Sequence, residues 1–457
     1  MDTIKPAWAH QRSGTNMILA GRSCLLHWDM GCGKTRSVID AIRLGHIYKR
    51  ILIVAPLSVV PVWPTEFDKY APGLIENVVP LDAGTITARA GRLLAMIDRW
   101  DTDLVAVVNY DVVFRKPMYD ALRSCAWDLL VLDEVHKIKN SRGKTSKALR
   151  LLGKQSRQRV GLTGTLMPHS PTDVWAQFDF IRPSVFGRSF VQFRSHYCVM
   201  GGWQGKEVQG FKNQEEMAEK IGTVTDRVKK ADVLDLPKSV HEARYLDLPA
   251  AARSLYDRLY EDLETDVQKG TVTTANALVR LLRLQQVTSG YVTTDGGDDE
   301  ELHTEKLKAL REILDDLAPD ERVVVFCRFR HDLRSVLAAG HESGRGYFEL
   351  SGAHKQLPEW RRSSGGVLGA QVQAGSLGVD MTAASYAVYF SLGFSLGEYE
   401  QSLARLDRPG QTRSVTNLHL IVRRTVDEKV YWALQHKRDV VQSILDQVPK
   451  KKQEVVA

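Results

Sequence analysis

Three short stretches of this chain hold side chains suited to phosphate chemistry, and they lie far apart in sequence. In Met30-Gly31-Cys32-Gly33-Lys34-Thr35, two glycines precede a Lys and a Thr, between an apolar run at 24–26 and a helical pattern at 37–42. Strand, glycine-rich turn and helix, in that order, make a phosphate-binding loop. The glycines let backbone N–H groups curl around phosphate oxygens, and the helix N-terminus adds its positive dipole end. Lys34 would reach the β- and γ-phosphates, and the Thr35 hydroxyl would sit on Mg²⁺. The match is incomplete, because Trp28 stands where the full motif has its first Gly. The second stretch, Leu129-Leu130-Val131-Leu132-Asp133-Glu134, runs four apolar residues into two carboxylates. At the tip of a buried strand such acids divide the work: Asp133 holds Mg²⁺, and Glu134 polarises a water for in-line attack on the γ-phosphate. In the third, Gln401, Arg405 and Arg408 are spaced i, i+4, i+7, on one face of a helix that Pro409-Gly410 would end. Two guanidiniums there suit a cluster of anionic oxygens, the role of arginine fingers.

The elements that must position these groups read as two α/β series. Apolar runs at 24–26, 50–55, 105–108, 129–132 and 159–162 alternate with helical patterns. That alternation predicts a parallel sheet with ligands gathered at the strand C-terminal ends. Lys34, Ser58 and Asn109-Tyr110 fall at such ends, and Thr163-Gly164-Thr165 ends a strand in two hydroxyls that could sense the phosphate site. A helix over 6–19 carries Gln11, whose amide could clamp an adenine edge because it donates and accepts at once. Farther on, a glycine-rich loop near 201–210 and an amphipathic helix over 214–231 are expected. A boundary before Pro237 gives lobes 1–236 and 237–457. The second series has strands at 245–248, 322–327, 367–372 and 386–391, a helix at 332–339 and an exposed acidic loop at 293–301. Small residues in Gln373-Ala374-Gly375-Ser376-Leu377-Gly378 allow close approach to a ligand, with Asp380 as a polar contact or relay.

Composition bounds the function classes. At 457 residues the chain exceeds one ordinary core, and 43% hydrophobic with 26% charged residues is the balance of a soluble globular protein. The net charge of +7 permits a polyanionic partner without demanding one. Five scattered cysteines with no C-x-x-C pair argue against a disulfide framework or zinc site and for a reducing compartment. No secretory leader or membrane-length apolar run is readable, so a cytoplasmic protein without a membrane partner is expected. Cys32, between two glycines and beside Lys34, is either a small residue that fits or a thiol of lowered pKa that makes ATP use redox-sensitive.

With these stretches in place, the sequence resembles the Swi/Snf family of helicase-like ATPases, in helicase superfamily two and related to the DEAD/DEAH-box proteins. The residues that carry the resemblance run in the family's order: Gln11 with Gly14, 30–35, Ala55-Pro56-Leu57-Ser58 with Trp63 and Glu66, Asp133-Glu134-Val135-His136-Lys137-Ile138-Lys139-Asn140, and Leu162-Thr163-Gly164-Thr165. In the second half they are Gly378, Thr382-Ala383-Ala384 and the stretch from Gln401 through Arg405 and Arg408 to Gln411. The resemblance implies two RecA-like lobes, each a mostly parallel sheet flanked by helices, with an ATP cleft between them. It implies ATP contacts by Gln11, Met30, Gly31, Cys32, Gly33, Lys34, Thr35, Gly378, Asp380 and Gln401, and coupling through His136, Thr163, Gly164 and Thr165. DNA contacts would come from Ser58, Asn109, Tyr110, Arg328 and Arg330, by analogy of position. The implied activity is ATP-driven translocation on double-stranded or branched DNA, with ATP and Mg²⁺ as cofactors and replication, repair or recombination proteins as partners. Its compactness matches bacterial or bacteriophage members, acting in a bacterial or infected bacterial cell. Two other readings stay open: a strand-separating DNA or RNA helicase, and a nucleotide-gated DNA-binding switch.

Overall fold

Strands covered by helices on both faces are rich in apolar residues, and the runs that build the first sheet have that character, with polar residues mainly at their ends. They are β1 (Cys24–Trp28), β2 (Arg50–Ala55), β3 (Val78–Leu81), β4 (Leu104–Asn109), β5 (Leu129–Asp133) and β6 (Gln158–Thr163). Every residue of β1, β4 and β5 is buried. The computed structural model describes residues 4–45, 47–99, 103–201, 207–268, 274–294, 297–372 and 379–446. Among the described residues it forms two units, one of residues 4–235 together with 439–446, the other of residues 236–438.

The first sheet has the order β3-β4-β2-β5-β6-β1-β9, where β9 is Thr225–Val228 and β7 (Cys198–Gly201) and β8 (Glu207–Phe211) form a separate hairpin. All its pairs are parallel. Since β6 lies between β1 and β5, the glycine-rich turn, the hydroxyl strand end and the carboxylates leave one edge of the sheet from adjacent strands. Helix α1 (Ala9–Leu19) precedes β1, α2 (Lys34–Gly45) follows the glycine-rich turn, and α3 (Val62–Tyr70) follows β2.

Two expectations fail here for local reasons. The helix expected over 214–231 ends at Gly222, because the β-branched Thr223-Val224-Thr225 favours an extended chain, and β9 then pairs with β1. The stretch expected as a glycine-rich loop instead contributes to the paired antiparallel strands β7 and β8, and residues 202–206 between them lie outside the described residues.

The second sheet is also fully parallel. Its strands are β10 (Val240–Leu246), β13 (Arg322–Cys327), β14 (Tyr347–Leu350), β15 (Gly366–Gln371), β16 (Tyr386–Tyr389) and β17 (Thr416–Val422), in the order β10-β17-β16-β13-β15-β14. Between β10 and β13 lies an antiparallel hairpin of β11 (Tyr291–Thr293) and β12 (Asp299–Glu301). The acidic stretch read as a loop thus supplies one strand of a hairpin, with its side chains exposed. Among the described residues no helix is long and apolar enough to cross a membrane.

Candidate nucleotide site

The glycine-rich turn is shaped by close approaches. Gly31 and Gly33 have φ of 88° and 81°, a region that favours glycine, and a Cβ on Gly33 would collide with the Gln11 amide. A Cβ on Gly14 would come within 2.5 Å of the Trp28 ring, so α1 packs directly on the indole that replaces the motif's first glycine. The Trp28 Nε1–H donates to Asp226 Oδ2 at 2.8 Å, and the Lys230 N–H donates to Asp29 Oδ2 at 2.8 Å. Strand β9 and the residues after it therefore brace the turn. Asp226 and Lys230 escaped the sequence reading because they were assigned to a helix. Lys34 Nζ, on the first residue of α2, donates to Trp28 O at 2.7 Å and Asp29 O at 3.3 Å, and Thr35 is next in that helix.

Gln11 is buried and turned onto the loop. Its Nε2 donates to Cys32 O at 3.3 Å, and its Oε1 accepts from the Trp8 N–H at 2.9 Å. His10 Nε2 meets the same carbonyl at 2.8 Å. Burial holds His10 below the usual imidazole range, and the neutral ring with hydrogen on Nε2 is the donor this contact needs. His10 is a loop-supporting residue that the sequence reading passed over, with only its position beside Gln11 as a signal. Cys32 is fully buried, and burial pushes its thiol up to about 11 although the Lys34 charge works the other way. Of the two readings of Cys32, this environment favours the small residue that fits: loss of hydration outweighs the neighbouring cation.

At the tip of β5, Asp133 Oδ2 accepts from Trp63 Nε1 at 3.2 Å, and the Tyr110 hydroxyl donates to Asp133 O at 2.8 Å. Glu134 follows in the left-handed region at φ 57° and ψ 55°, which costs a non-glycine residue about 1–2 kcal/mol. That conformation turns its carboxylate toward His136, with Oε2 at 3.3 Å from Nδ1. His136 Nδ1 is also 3.0 Å from Thr163 Oγ1, which donates to Thr165 O at 3.0 Å and accepts from the Thr165 N–H at 3.1 Å. With the Thr163 hydrogen committed to Thr165 O, the network places a hydrogen on His136 Nδ1. Glu134, His136, Thr163 and Thr165 thus form one path from the tip of β5 to the tip of β6. Gly164 lies within it, against Met30, whose Cγ would be 3.0 Å from a Cβ on that glycine.

The two carboxyls are driven apart. Burial and then the Glu134 charge push Asp133 well above the usual carboxylate range, against Lys34 and the Trp63 hydrogen bond. Burial would raise Glu134 too, but the His136 ring 3.3 Å away, with Lys34 and Lys137, holds it below its ordinary value. A buried carboxyl beside a hydroxyl-bearing helix start suits Mg²⁺, which takes one or two carboxylates and completes its shell with water and phosphate oxygens. Among the described residues no cluster of three or more His, Cys, Asp or Glu forms an all-protein metal cage.

The remaining candidates fare differently. Ser58 is half-buried in the turn after β2. Asn109 and Tyr110 are buried; the Asn109 amide faces Arg89 and Asp111, and the Tyr110 hydroxyl serves Asp133, so neither is turned outward to a DNA backbone. In the second unit, Arg330 is exposed at the start of helix Arg330–Glu342. The Arg328 guanidinium instead lies 5.4 Å from the Phe394 ring, half-buried, and burial lowers its pKa. Gly378 lies outside the described residues. Asp380 accepts from the Thr382 N–H and hydroxyl at 3.0 and 2.8 Å and pairs with Arg361 at 2.7 Å. Burial would raise its carboxyl, but Thr382, Arg361 and Arg408 hold it low. Gln401 and the buried Arg405 lie on helix Leu396–Leu406, but that helix ends earlier than expected. Asp407 already has ψ of 80°, and a residue before Pro409 disfavours helical geometry, so Arg408 sits in the turn beyond the helix and not on its face.

The family model of the SNF2-related domain matches residues 8–290, and that of the helicase conserved C-terminal domain matches residues 305–410. The chain belongs to the SNF2-related family. It is accordingly a helicase-like ATPase. The SNF2-related match runs past residue 236. The chain is similar to protein p41 of Acyrthosiphon pisum secondary endosymbiont phage 1, 27% identical over 448 residues, which are 92% of this chain and 94% of that one. It is also similar to the human DNA annealing helicase and endonuclease ZRANB3, 26% identical over 439 residues, 93% of this chain but 39% of ZRANB3. The chain thus spans about two fifths of that relative's length. Among solved structures it is similar to the Sulfolobus solfataricus SWI2/SNF2 ATPase core in complex with dsDNA, at 23% identity and a TM-score of 0.45 over 98% of this chain and 94% of that one.

Proposed function

We propose that this SNF2-related ATPase couples ATP hydrolysis to movement along double-stranded DNA, remodelling branched DNA or displacing bound proteins. The observation that carries the proposal is the Glu134–His136–Thr163–Thr165 path, a continuous link between a hydrolytic carboxylate and the tip of a neighbouring strand. An ATPase with no mechanical output does not need its base wired to another strand end.

In this reading Gly31, Cys32 and Gly33 offer backbone N–H groups to phosphate, beside Met30, and Lys34 exchanges its contacts with Trp28 O and Asp29 O for phosphate oxygens. Glu134, held ionised, takes a proton from the attacking water. Thr35 and Asp133 would hold Mg²⁺, which offsets phosphate charge. Gln11 reads the base, Arg405 and Arg408 neutralise charge developing on the γ-phosphate, and Gln401, Gly378 and Asp380 support them. Residues 1–236 and 237–457 then act as the ATP-binding and helicase C-terminal lobes. DNA contacts come from Ser58, Arg330 and, less directly, Arg328, and are phosphate-directed and salt-sensitive. Similarity to a phage protein supports action in a bacterial or infected bacterial cytoplasm, alongside replication, repair or recombination proteins.

ATP turnover measured without nucleic acid and with duplex DNA, single-stranded DNA or RNA tests the proposal, with Lys34→Ala as the control. Stimulation by duplex alone is expected. Stimulation mainly by single strands or RNA would favour a strand-separating helicase, and binding without turnover a nucleotide-gated switch.

A further inference from the structure

The three residues that follow β16 are each held by a buried side chain from a different helix. Lys306, on helix Glu305–Asp316, donates from Nζ to Phe390 O at 2.9 Å. Asp332, on helix Arg330–Glu342, accepts at Oδ2 from the Ser391 hydroxyl at 2.5 Å, and Ser391 Oγ accepts in turn from the Arg328 N–H at 2.8 Å. Gln285, on helix Thr274–Ser289, donates from Nε2 to Leu392 O at 3.0 Å. Lys306, Asp332 and Gln285 are 1%, 0% and 2% exposed. Lys306 is fixed in its turn by Asp427 Oδ2 at 2.7 Å, and Asp427 Oδ1 accepts from the Thr288 hydroxyl at 2.9 Å.

Burying a lysine and a carboxylate is costly unless they are paired and hydrogen-bonded, so a cluster of this kind needs a reason. Sheet stability does not supply it, because β16 already has a parallel partner on each side, β13 and β17. The segment the cluster holds runs from Phe390 to Phe394 and leads into helix Leu396–Leu406, which bears Gln401 and Arg405. That helix is pinned a second time, by Tyr399 OH to His419 Nε2 and by Ser402 Oγ to Tyr389 OH, both at 2.9 Å.

We infer that Lys306, Asp332 and Gln285 are positioning residues for ATP hydrolysis: they fix the backbone at 390–392 and through it the placement of Arg405 and Arg408. The inference rests on the proposed role of those arginines. A group displaced by about 1 Å through a distant change can cost up to about 10²-fold in rate, so the grip should be read in kcat.

Gln285→Leu removes one donor at nearly constant shape and leaves no buried charge, so it should fold even if Lys306 variants do not. Expected are faster amide exchange over 390–406 with β13 unchanged, and a kcat for ATP lower by on the order of tenfold at unchanged KM and nucleotide affinity. Asp332→Asn keeps an acceptor for Ser391 and should stay near wild type, whereas Asp332→Leu should not. Unchanged exchange over 390–406 in Gln285→Leu would overturn the grip. Faster exchange with wild-type kcat, or equal losses in Asp332→Asn and Asp332→Leu, would overturn the positioning role. Exchange reads the grip whether or not ATP turns over, and failure of the ATPase reading shows separately, as turnover that survives Lys34→Ala.

Discussion

The two units place their chemistry by different means. In the first, the reactive groups stand on the tips of adjacent strands and are oriented by near neighbours: Lys34 by carbonyls five and six residues back, Glu134 by its own left-handed backbone and by His136. In the second, Arg405 stands on a helix that begins only after a connecting segment, and that segment is held by side chains 59 to 107 residues distant in sequence from the residues they grip. A strand in mid-sheet is a rigid mount that needs little help. A helix behind a loop is not, and the difference is made up by buried polar groups drawn from the rest of the unit.

The largest effect expected from this contrast is at the first mount. Glu134→Gln keeps shape and hydrogen-bonding capacity but removes the base, and should lower kcat for ATP by about 10²–10⁴-fold while nucleotide binding persists. Single-turnover hydrolysis with an independent binding measurement checks it. If Glu134→Gln hydrolysed ATP at the wild-type rate, the strand tip would not be where the water is activated.

The same contrast explains what could be read in advance. Strand tips carrying Gly-Lys-Thr, Asp-Glu and Thr-Gly-Thr are legible because each group is mounted by the apolar run directly before it. The parallel sheets were legible for the same reason: 51–55, 105–108 and 129–132 are apolar without interruption. Strand β9 was not, because Thr225-Asp226-Arg227-Val228 is mostly polar, lies at a sheet edge and follows a true helix without a Pro to separate them. Asn109 and Tyr110 were rightly placed at a strand end, but whether a side chain at such an end turns outward depends on tertiary partners, here Arg89, Asp111 and Asp133. Gln285, Lys306 and Asp332 had no signal at all. Each sits in an ordinary amphipathic helix, and only the fold brings them to one segment.

The second mount should break through its buried charge. Lys306 and Asp427 are 1% and 8% exposed, so Lys306→Met strands a carboxylate and should destabilise the second unit by about 3–5 kcal/mol. Pairing it with Asp427→Leu should recover most of that loss. Hydrogen exchange of β13 across a urea series measures both, and the core of the first unit is the internal control. Recovery of stability without recovery of kcat would separate holding the fold from holding the arginines.

A smaller effect is expected where β9 braces the phosphate loop. Trp28→Phe deletes the donor to Asp226 and also the outer ring edge that faces Gly14, which together should cost at least about 1–2 kcal/mol locally. If that strain reaches the loop, KM for ATP rises by roughly three- to tenfold, since about 1.4 kcal/mol is tenfold in binding. Asp226→Asn should show a weaker version of the same change. Unchanged KM in both would mean that the turn is held by its own backbone and by α1 alone.

The smallest effect sharpens the comparison by its absence. Cys32 lies in the loop between two glycines and beside a lysine, the setting in which a thiol is commonly activated. Here burial dominates and moves the thiol up to about 11, and all five cysteines are buried. A raised pKa leaves the group protonated through neutral pH and releases thiolate only as pH climbs toward 11, so iodoacetamide at pH 7.5 should leave ATP turnover intact. Cys32→Ala should likewise keep kcat and KM within about twofold, because in the proposed site the residue offers phosphate only its backbone N–H, and its carbonyl is what meets His10 and Gln11. Rapid inactivation by iodoacetamide that Cys32→Ala abolishes would show that the loop opens enough to rehydrate the thiol. The first mount would then be less rigid than its strand makes it, and the distinction between the two units would narrow.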